Sequence, residues 1–309
     1  MEALDPTKLP TEVVKLSHKI IDITRSVFSP TLAQREARAK IIAAQADAEA
    51  GHIRTEGELE DLGRRWLMEE QMRQQCQDEV IAKAVTGVQD EQIGADTPDP
   101  DADVVRLLLD GAGYVSQEEL QVTWGRTLAG EIRTPGSVSR RTISILKTMD
   151  EHIAVAFARF CSLACYMTPV RDEIIDARVL SLGGQAGDNA LSPHGLSYEV
   201  LTTLSEHGLV VHDFDAWRDY GPCFWPPLPG YNTFPFRHQG ESFVLRPAGT
   251  EASPTPPFKF HGPMMTLAGV ELSRVVDPVP VPVYLDQLRS FFRSKKLKIT
   301  RAKAGGTSS

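Results

Sequence analysis

The residues of this chain whose types and spacing could do chemistry are few and scattered. Cys161 and Cys165 stand four apart, a spacing that puts two thiols on one face of a helix, where they could share a metal ion. Two further ligands are not in sight, so a buried apolar pair is the expected state of these cysteines. His207, His212, Asp213 and Asp215 crowd into nine residues and bring general-acid and general-base types together. Alternation along a strand turns His212 and Asp213 to opposite faces, which weakens a shared proton. Gly183-Gly184-x-x-Gly187 follows an apolar run, yet no strand–helix–strand pattern surrounds it, and a phosphate-cradling loop is not expected. GxSxG, HExxH, Walker A and paired CxxC patterns do not occur. The expectation is a protein that is not an enzyme and holds no cofactor or metal. A hydrolase-type centre would require distant His, Asp and Glu side chains to converge in the fold.

The chain has 309 residues and a mass of 34.1 kDa, enough for about two globular units. Its 41% hydrophobic and 24% charged content excludes a wholly disordered or collagen-like chain. Acidic residues outnumber basic ones 41 to 33, a formal charge of −8, which disfavours nucleic-acid binding unless the cations cluster. Four cysteines, Cys76, Cys161, Cys165 and Cys223, are too few for a disulfide scaffold and suit a reducing cytosol. MEALDPTKLP lacks the basic and apolar regions of a signal peptide. The longest apolar run, Ile153 to Met167, contains Arg159 and reads as a buried helix with no membrane span. A cytoplasmic location is expected.

The positioning elements follow from periodicity. Leu9, Val13, Leu16, Ile20, Ile23 and Val27 form one helical stripe, ended by Ser29-Pro30. Thr31 to Val88 is rich in Ala, Glu, Gln and Arg and reads as helix broken near Gly51, Gly57 and Gly63. Residues 31–50 carry too little bulky side chain for a core, so an exposed helix or a self-association seam is expected there. Residues 89–103, with six acids and two prolines, read as a linker. Ser116 with Glu119 forms a capping box before a helix bearing Leu120, Trp124 and Leu128, with Trp124 near the centre of a helical bundle. Thr134-Pro135-Gly136 is a turn; Ser137 or Ser139, and then Asp150, cap the following helices.

The run Val115-Ser116-Gln117-Glu118-Glu119-Leu120-Gln121, followed by Trp124-Gly125-Arg126-Thr127-Leu128-Ala129-Gly130-Glu131 and Pro135-Gly136-Ser137, resembles the hallmark of a bacterial family, domain of unknown function 2806. Glu69-Glu70-Gln71-Met72-Arg73-Gln74 is similar to that family's charged helix, and Leu267-Ala268-Gly269-Val270-Glu271-Leu272 to its C-terminal signature. The likeness runs from about residue 10 to 276, and its Trp-Gly-x-x-Leu-Ala-Gly-Glu core is its specific part. A more distant likeness, in the tryptophan-helix arrangement, is to the abortive-infection alpha proteins of bacterial phage defence. Where the family has asparagine after the Arg-Gln pair, this chain has Gln75-Cys76. The resemblance implies no reaction. Trp124, Leu128, Gly130 and Pro135 are expected to be structural.

Toward the C-terminus, Ser192-Pro193 opens a helix ended by His207-Gly208, and Leu209–Val211, Ser242–Leu245 and Phe258–Phe260 read as short strands. Thr266 caps a helix with Leu267, Val270 and Leu272. That order suggests a small winged-helix-like unit. Its helix from Ser197 to His207 has Glu199 and Glu206 and no lysine or arginine, which favours protein contact over DNA. The fold expected is mainly α: long helices over 1–92, an acidic linker at 93–103, a helical bundle over 104–180, a winged-helix-like α+β unit over 181–287 and a basic tail at 288–309.

Two surfaces stand out. Residues 212–243 hold nine aromatics among five prolines; they pack as a loop over the sheet or form a partner surface built on Trp217, Tyr220, Phe224, Trp225 and Tyr231. The tail carries Arg289, Arg293, Lys295, Lys296, Lys298 and Arg301 without an acid, a patch suited to nucleic acid or anionic lipid. The expected function is a cytosolic interaction and assembly protein, in phage defence by family likeness. It would form a homo-oligomer through residues 31–92 and engage a further protein partner with the aromatic loop. The alternative is a winged-helix nucleic-acid-binding regulator that uses the basic tail.

Overall fold

The computed structural model describes residues 11–27, 40–41, 56–87, 97–168, 173–183, 189–221, 233–248 and 258–302. The chain divides into two compact units, Met1–Lys147 and Thr148–Ser309.

The first unit is helical: α1 (Thr11–Val27), α2 (Glu56–Thr86), α3 (Ala102–Ala112), α4 (Glu118–Arg133) and α5 (Arg140–Lys147). Helix α1 turns Ile20, Thr24 and Val27 inward. Its Lys19 Nζ holds the chain before α3, donating to the carbonyls of Thr97 and Pro98 at 3.1 Å and pairing with Asp99 at 3.3 Å. Asp101 caps α3 by accepting from the amide of Asp103 at 2.8 Å. Helix α4 buries Leu120, Trp124, Leu128 and Ile132, a four-residue repeat that makes one inward stripe. It starts at Glu118, with Gln117 rather than Ser116 at the N-cap and no side-chain cap bond.

The Trp-Gly pair explains how three helices meet. A Cβ built on Gly125 would lie 2.8 Å from the Ala84 nitrogen and 2.9 Å from the Val80 oxygen, so α2 and α4 cross with backbones nearly touching. One residue earlier, the Trp124 ring occupies the space over Gly111 of α3, where a Cβ would fall 2.2 Å from the ring. Amide side chains stitch the crossing: Gln77 donates to the Leu109 carbonyl at 3.0 Å, and Gln121 donates to Glu79 at 2.6 Å and the Val115 carbonyl at 2.9 Å. At the far end of α4 the fully buried Glu131 carboxylate accepts from the amides of Gly136 and Val138 at 2.8 and 2.9 Å. It thereby fixes the Pro135-Gly136 turn.

The second unit opens with α6 (Glu151–Leu163), capped by Asp150, whose carboxylate accepts from the Ile153 amide at 2.9 Å. Strands β1 (Cys165–Met167) and β2 (Asp176–Arg178) follow, then a short 3₁₀ turn at Ser192–His194 and α7 (Tyr198–Glu206). Next come β3 (Val210–Val211), β4 (Trp217–Asp219), β5 (Phe234–His238), β6 (Glu241–Pro247), β7 (Lys259–His261) and β8 (Met264–Met265). The unit closes with α8 (Leu267–Ser273), α9 (Pro282–Ser294) and β9 (Leu297–Arg301). Thr266 caps α8, accepting from Gly269 at 3.1 Å, and Gly208 takes the left-handed conformation, φ 74°, that ends α7.

These strands overturn the expected fold class. Seven of them form one antiparallel sheet in the order β3-β8-β2-β1-β5-β6-β9, and β4 with β7 forms a second, two-stranded sheet. The protein is therefore mixed α+β, not mainly α with a small winged-helix-like unit. Two physical causes hid this. Most strands are two to five residues long, too short to show a period of two, and several neighbours in the sheet, β6 with β9, β2 with β8, β3 with β8 and β1 with β5, are far apart in sequence. Second, the apolar run from Ile153 leaves the helix at Ala164 and continues as β1, a switch that an unbroken apolar segment does not announce. The seven-stranded sheet, β7 of the second sheet and α9 share an aromatic core, with Phe236 stacked on Phe243 at 5.5 Å and Phe292 of α9 edge-on to Phe260 of β7 at 5.2 Å.

Candidate functional site

In the first unit, α2 has an uneven environment. Its C-terminal half buries Gln77, Val80 and Ala84 against its neighbours, while among the described side chains from Gly57 to Cys76 none is fully buried. That stretch nevertheless carries large apolar side chains. Leu67 is 66% exposed, Met68 63% and Met72 69%, and Tyr114, in the turn between α3 and α4, is 80% exposed. Met72 and Tyr114 border a cavity of about 370 Å³ whose wall also includes Trp66, Arg73 and Cys76. Arg73 crosses the cavity edge, pairing loosely with Glu70 and with Asp110 at 3.9 and 3.8 Å. Large apolar side chains left in water on one stretch of a helix make that stretch a candidate contact site. Burial and the Glu79 carboxylate raise the Cys76 thiol above its ordinary value, so this cysteine is no activated nucleophile.

The second unit places the chemistry-bearing residues in structural roles. Cys161 and Cys165 are fully buried; burial pushes the Cys161 thiol up to about 12 and raises Cys165 further. Among the described residues no three metal-ligating side chains gather. His207 is the C-cap residue of α7. His212 lies between the rings of Tyr198 and Phe214, at 4.6 and 5.9 Å, and burial lowers its pKa. Asp213 accepts from the amides of Asp215 and Ala216, closing a turn. Gly184 to Gly187 lie outside the described residues.

A buried polar cluster that the sequence did not single out links β2 to the second sheet. Arg178 donates to Asp176 at 2.6 Å and to the carbonyls of Ala216 and Phe260 at 3.1 and 3.0 Å, while the Tyr220 hydroxyl donates to the same Asp176 carboxylate. Burial raises the Tyr220 pKa, keeping its proton in place as the donor. Every charge in the cluster is answered within it, which makes it a tie between elements and leaves no open position for a substrate. Nearby, His238 is fully buried, its Nδ1 2.9 Å from the Ala164 carbonyl; a carbonyl only accepts, so the proton is on Nδ1 and the Nε2 lone pair has no partner among the described residues.

Of the five aromatic residues expected at a partner surface, Trp217 is half exposed with Lys259 Nζ 3.5 Å from its ring centre. Tyr220 is buried in the cluster above. Phe224, Trp225 and Tyr231 lie outside the described residues. The described part of the expected basic tail, residues 288–302, is the end of α9 and the sheet-edge strand β9. Arg289 pairs with Asp286 at 2.8 Å, Arg301 with Glu241 at 2.7 Å, and Lys295 sits 5.8 Å from the Phe291 ring centre. Arg293, Lys296 and Lys298 have no acidic partner among the described residues. Register sets Arg246 of β6 directly beside Lys298, adding a cation that the local sequence does not reveal.

Trp124 and Leu128 are core residues, and a Cβ at Gly130 would meet nothing within 4 Å. Pro135 occupies the turn that Glu131 fixes. The Trp-Gly motif is thus a packing device.

The fold and these surfaces define a two-unit α+β protein with an exposed apolar face on a long helix and a cationic sheet edge. The chain belongs to the family described as protein of unknown function (DUF2806), whose model matches residues 62–216, half of the sequence. Neither the curated proteins nor the solved structures contain a match. No helix among the described residues is long and apolar enough to cross a membrane.

Proposed function

We propose that this is a non-enzymatic, cytosolic interaction protein that works by self-association through α2. The observation that carries the reading is the exposed cluster of Leu67, Met68 and Met72 beside the Tyr114 cavity. Burying these side chains is worth about 1.5–3 kcal/mol each for full removal from water, and they are 63–69% exposed. The internally satisfied Arg178–Asp176–Tyr220 cluster and the raised thiols support a non-catalytic reading. A role in bacterial phage defence is part of this proposal, and the efficiency of plaquing on cells with and without the protein measures it. Sedimentation velocity over a concentration series tests the association. The wild-type chain sediments as an oligomer and Met68→Glu/Met72→Glu as a monomer with unchanged circular dichroism; equal sedimentation of both as monomers overturns the reading.

A second reading rests on Arg246, Lys298, Lys296 and Arg293, cations without acidic partners among the described residues, gathered at the β9 edge. Such a cluster is suited to a phosphate backbone. Binding of a single-stranded oligonucleotide, read by fluorescence anisotropy, then weakens steeply with salt and weakens again in Arg246→Ala/Lys298→Ala; salt-independent or absent binding removes this reading.

A further inference from the structure

Strand β9 ends the seven-stranded sheet, and no described strand lies on its far side. Its bonds to β6 alternate. The Ala248 amide donates to the Lys296 carbonyl and the Ala302 amide to the Ser242 carbonyl, both at 2.9 Å, and the register puts Lys298 and Thr300 in the same bonded phase. The N–H and C=O groups of Leu297, Ile299 and Arg301 therefore point away from β6, along the edge of the sheet. The two faces of this edge differ. Leu297 is buried and Ile299 half-buried beside the buried Leu245, whereas Lys298 and Arg246 stand together, exposed, on the opposite face. Arg301 is answered by Glu241 at 2.7 Å, but Arg246 and Lys298 have no acidic partner among the described residues. Lys296 and Arg293 add exposed cations where α9 turns into the strand. Lys296 holds φ 59° there, the left-handed conformation that a helix end usually gives to glycine, so the turn keeps a cation in a strained position.

We infer that the β9 edge takes an extended acidic segment of another protein as an added antiparallel strand. This is independent of the association through α2, and it gives the β9 cations an occupant other than an oligonucleotide. Donors and acceptors that alternate at strand spacing are what an extended peptide matches; a phosphate backbone would leave the outward carbonyls unanswered. A second copy of β9 would bring the same cations to the other side of the edge, where they repel. Every strand pairing described in this sheet is antiparallel, and an added strand continues that pattern. Directly opposed residues share a face, so the incoming strand sets apolar side chains beside Leu297 and Ile299. Its acidic side chains stand on the other face, about 4.8 Å from the Lys298 backbone, with Arg246 extending the positive row one strand further in.

The bonding phase gives the test. A short fluorescein-labelled peptide of alternating Glu and Val binds the full chain, read by fluorescence anisotropy, and an alternating Lys-Val peptide does not. In the antiparallel arrangement the valine amides of the peptide face β9 and the glutamate amides face solvent. Methylating the valine nitrogens therefore weakens binding about tenfold or more relative to methylating the glutamate nitrogens, the effect of losing about one net hydrogen bond or more. On the protein, Ile299→Pro deletes an outward N–H and spares the bonds to β6, a place where an edge strand tolerates proline; it too weakens the peptide about tenfold, with unchanged circular dichroism. Arg246→Glu/Lys298→Glu exchanges the preference, losing the Glu-Val peptide and gaining the Lys-Val one. Equal binding of the two methylated peptides reduces the contact to charge alone and overturns strand addition, whatever the protein variants do. So does absence of Glu-Val binding at millimolar peptide; if a single-stranded oligonucleotide then binds wild type and Ile299→Pro alike, the cations belong to nucleic acid.

Discussion

Gly125→Ala perturbs the crossing of α2 and α4 with a single methyl group. The added carbon would lie 2.8 Å from the Ala84 nitrogen, 2.9 Å from the Val80 oxygen and 2.9 Å from the Lys83 Cβ. Two of these neighbours are backbone, so no side chain can swing aside. Ordinary contact begins near 3.4 Å, and the helices must part by roughly 0.6 Å or more, which loosens the packing of Val80 and Ala84. Overpacking of this kind costs about 1–3 kcal/mol, offset by about 1 kcal/mol because alanine is the better helix former. Gly130→Ala, in the same helix, supplies the control: its Cβ meets nothing within 4 Å, so it keeps the propensity gain and pays no packing penalty. Urea unfolding of both variants, followed by far-UV circular dichroism, should therefore separate them by about 1–3 kcal/mol, Gly130→Ala being the more stable. Equal midpoints would show that the two helices do not approach as closely as described and would refute the packing role assigned to the Trp-Gly motif.

Other consequences follow from the buried polar groups. Glu131→Gln replaces an acceptor of two short amide bonds with a group that can accept only one of them well and turns its own NH₂ toward the other. The expected loss is about 2–3 kcal/mol, read from the urea midpoint, whereas Ser137→Ala, at 3.4 Å from the carboxylate, changes little. Arg178→Met leaves Asp176 buried and uncompensated and costs about 3–5 kcal/mol, much of it recovered in the double variant with Asp176→Asn. Burial is the main cause holding the His238 pKa below its ordinary 6.5, against smaller opposing effects of the Ala164 carbonyl and Glu241. The unfolded chain therefore binds this proton more tightly, so stability is lost as pH falls below about 6.5 and is insensitive to this residue above it. Denaturation midpoints at pH 5 and 7 check this, with a shallower pH slope in His238→Gln. Cys76 should react with a maleimide in the native chain, while Cys161 and Cys165, fully buried, should react only on unfolding.

The helical unit was largely legible because its signals are local. The four-residue spacing of Leu120, Trp124 and Leu128 placed an inward stripe, and in the second unit Asp150 and Thr266 likewise announced helix starts that the structure keeps. Gly125 carried no such signal, since its role depends on where α2 passes, a fact set by packing between segments about 40 residues apart. The sheet was hidden for the same reason, because its order joins β9 to β6 and β8 to β2 across long stretches of chain. One trace of it was present: Leu297 and Ile299 alternate with Lys298 and Thr300, the period of a strand with one face inward, beneath a basic composition that suggested a tail. The apolar face of α2 was written in the sequence as residues but not as exposure. A stripe interrupted by Glu69, Glu70 and Arg73 reads as a solvated face, and only the position of the neighbouring helices shows that Leu67, Met68 and Met72 are left uncovered.

Native mass spectrometry of the full chain, sprayed from neutral volatile buffer at micromolar concentration, tests the central claim most directly. An exposed α2 face that closes on its own copy predicts a dominant species at twice the 34.1 kDa chain mass, reverting to the single chain in Met68→Glu/Met72→Glu. A wild-type spectrum holding the single chain alone would contradict it.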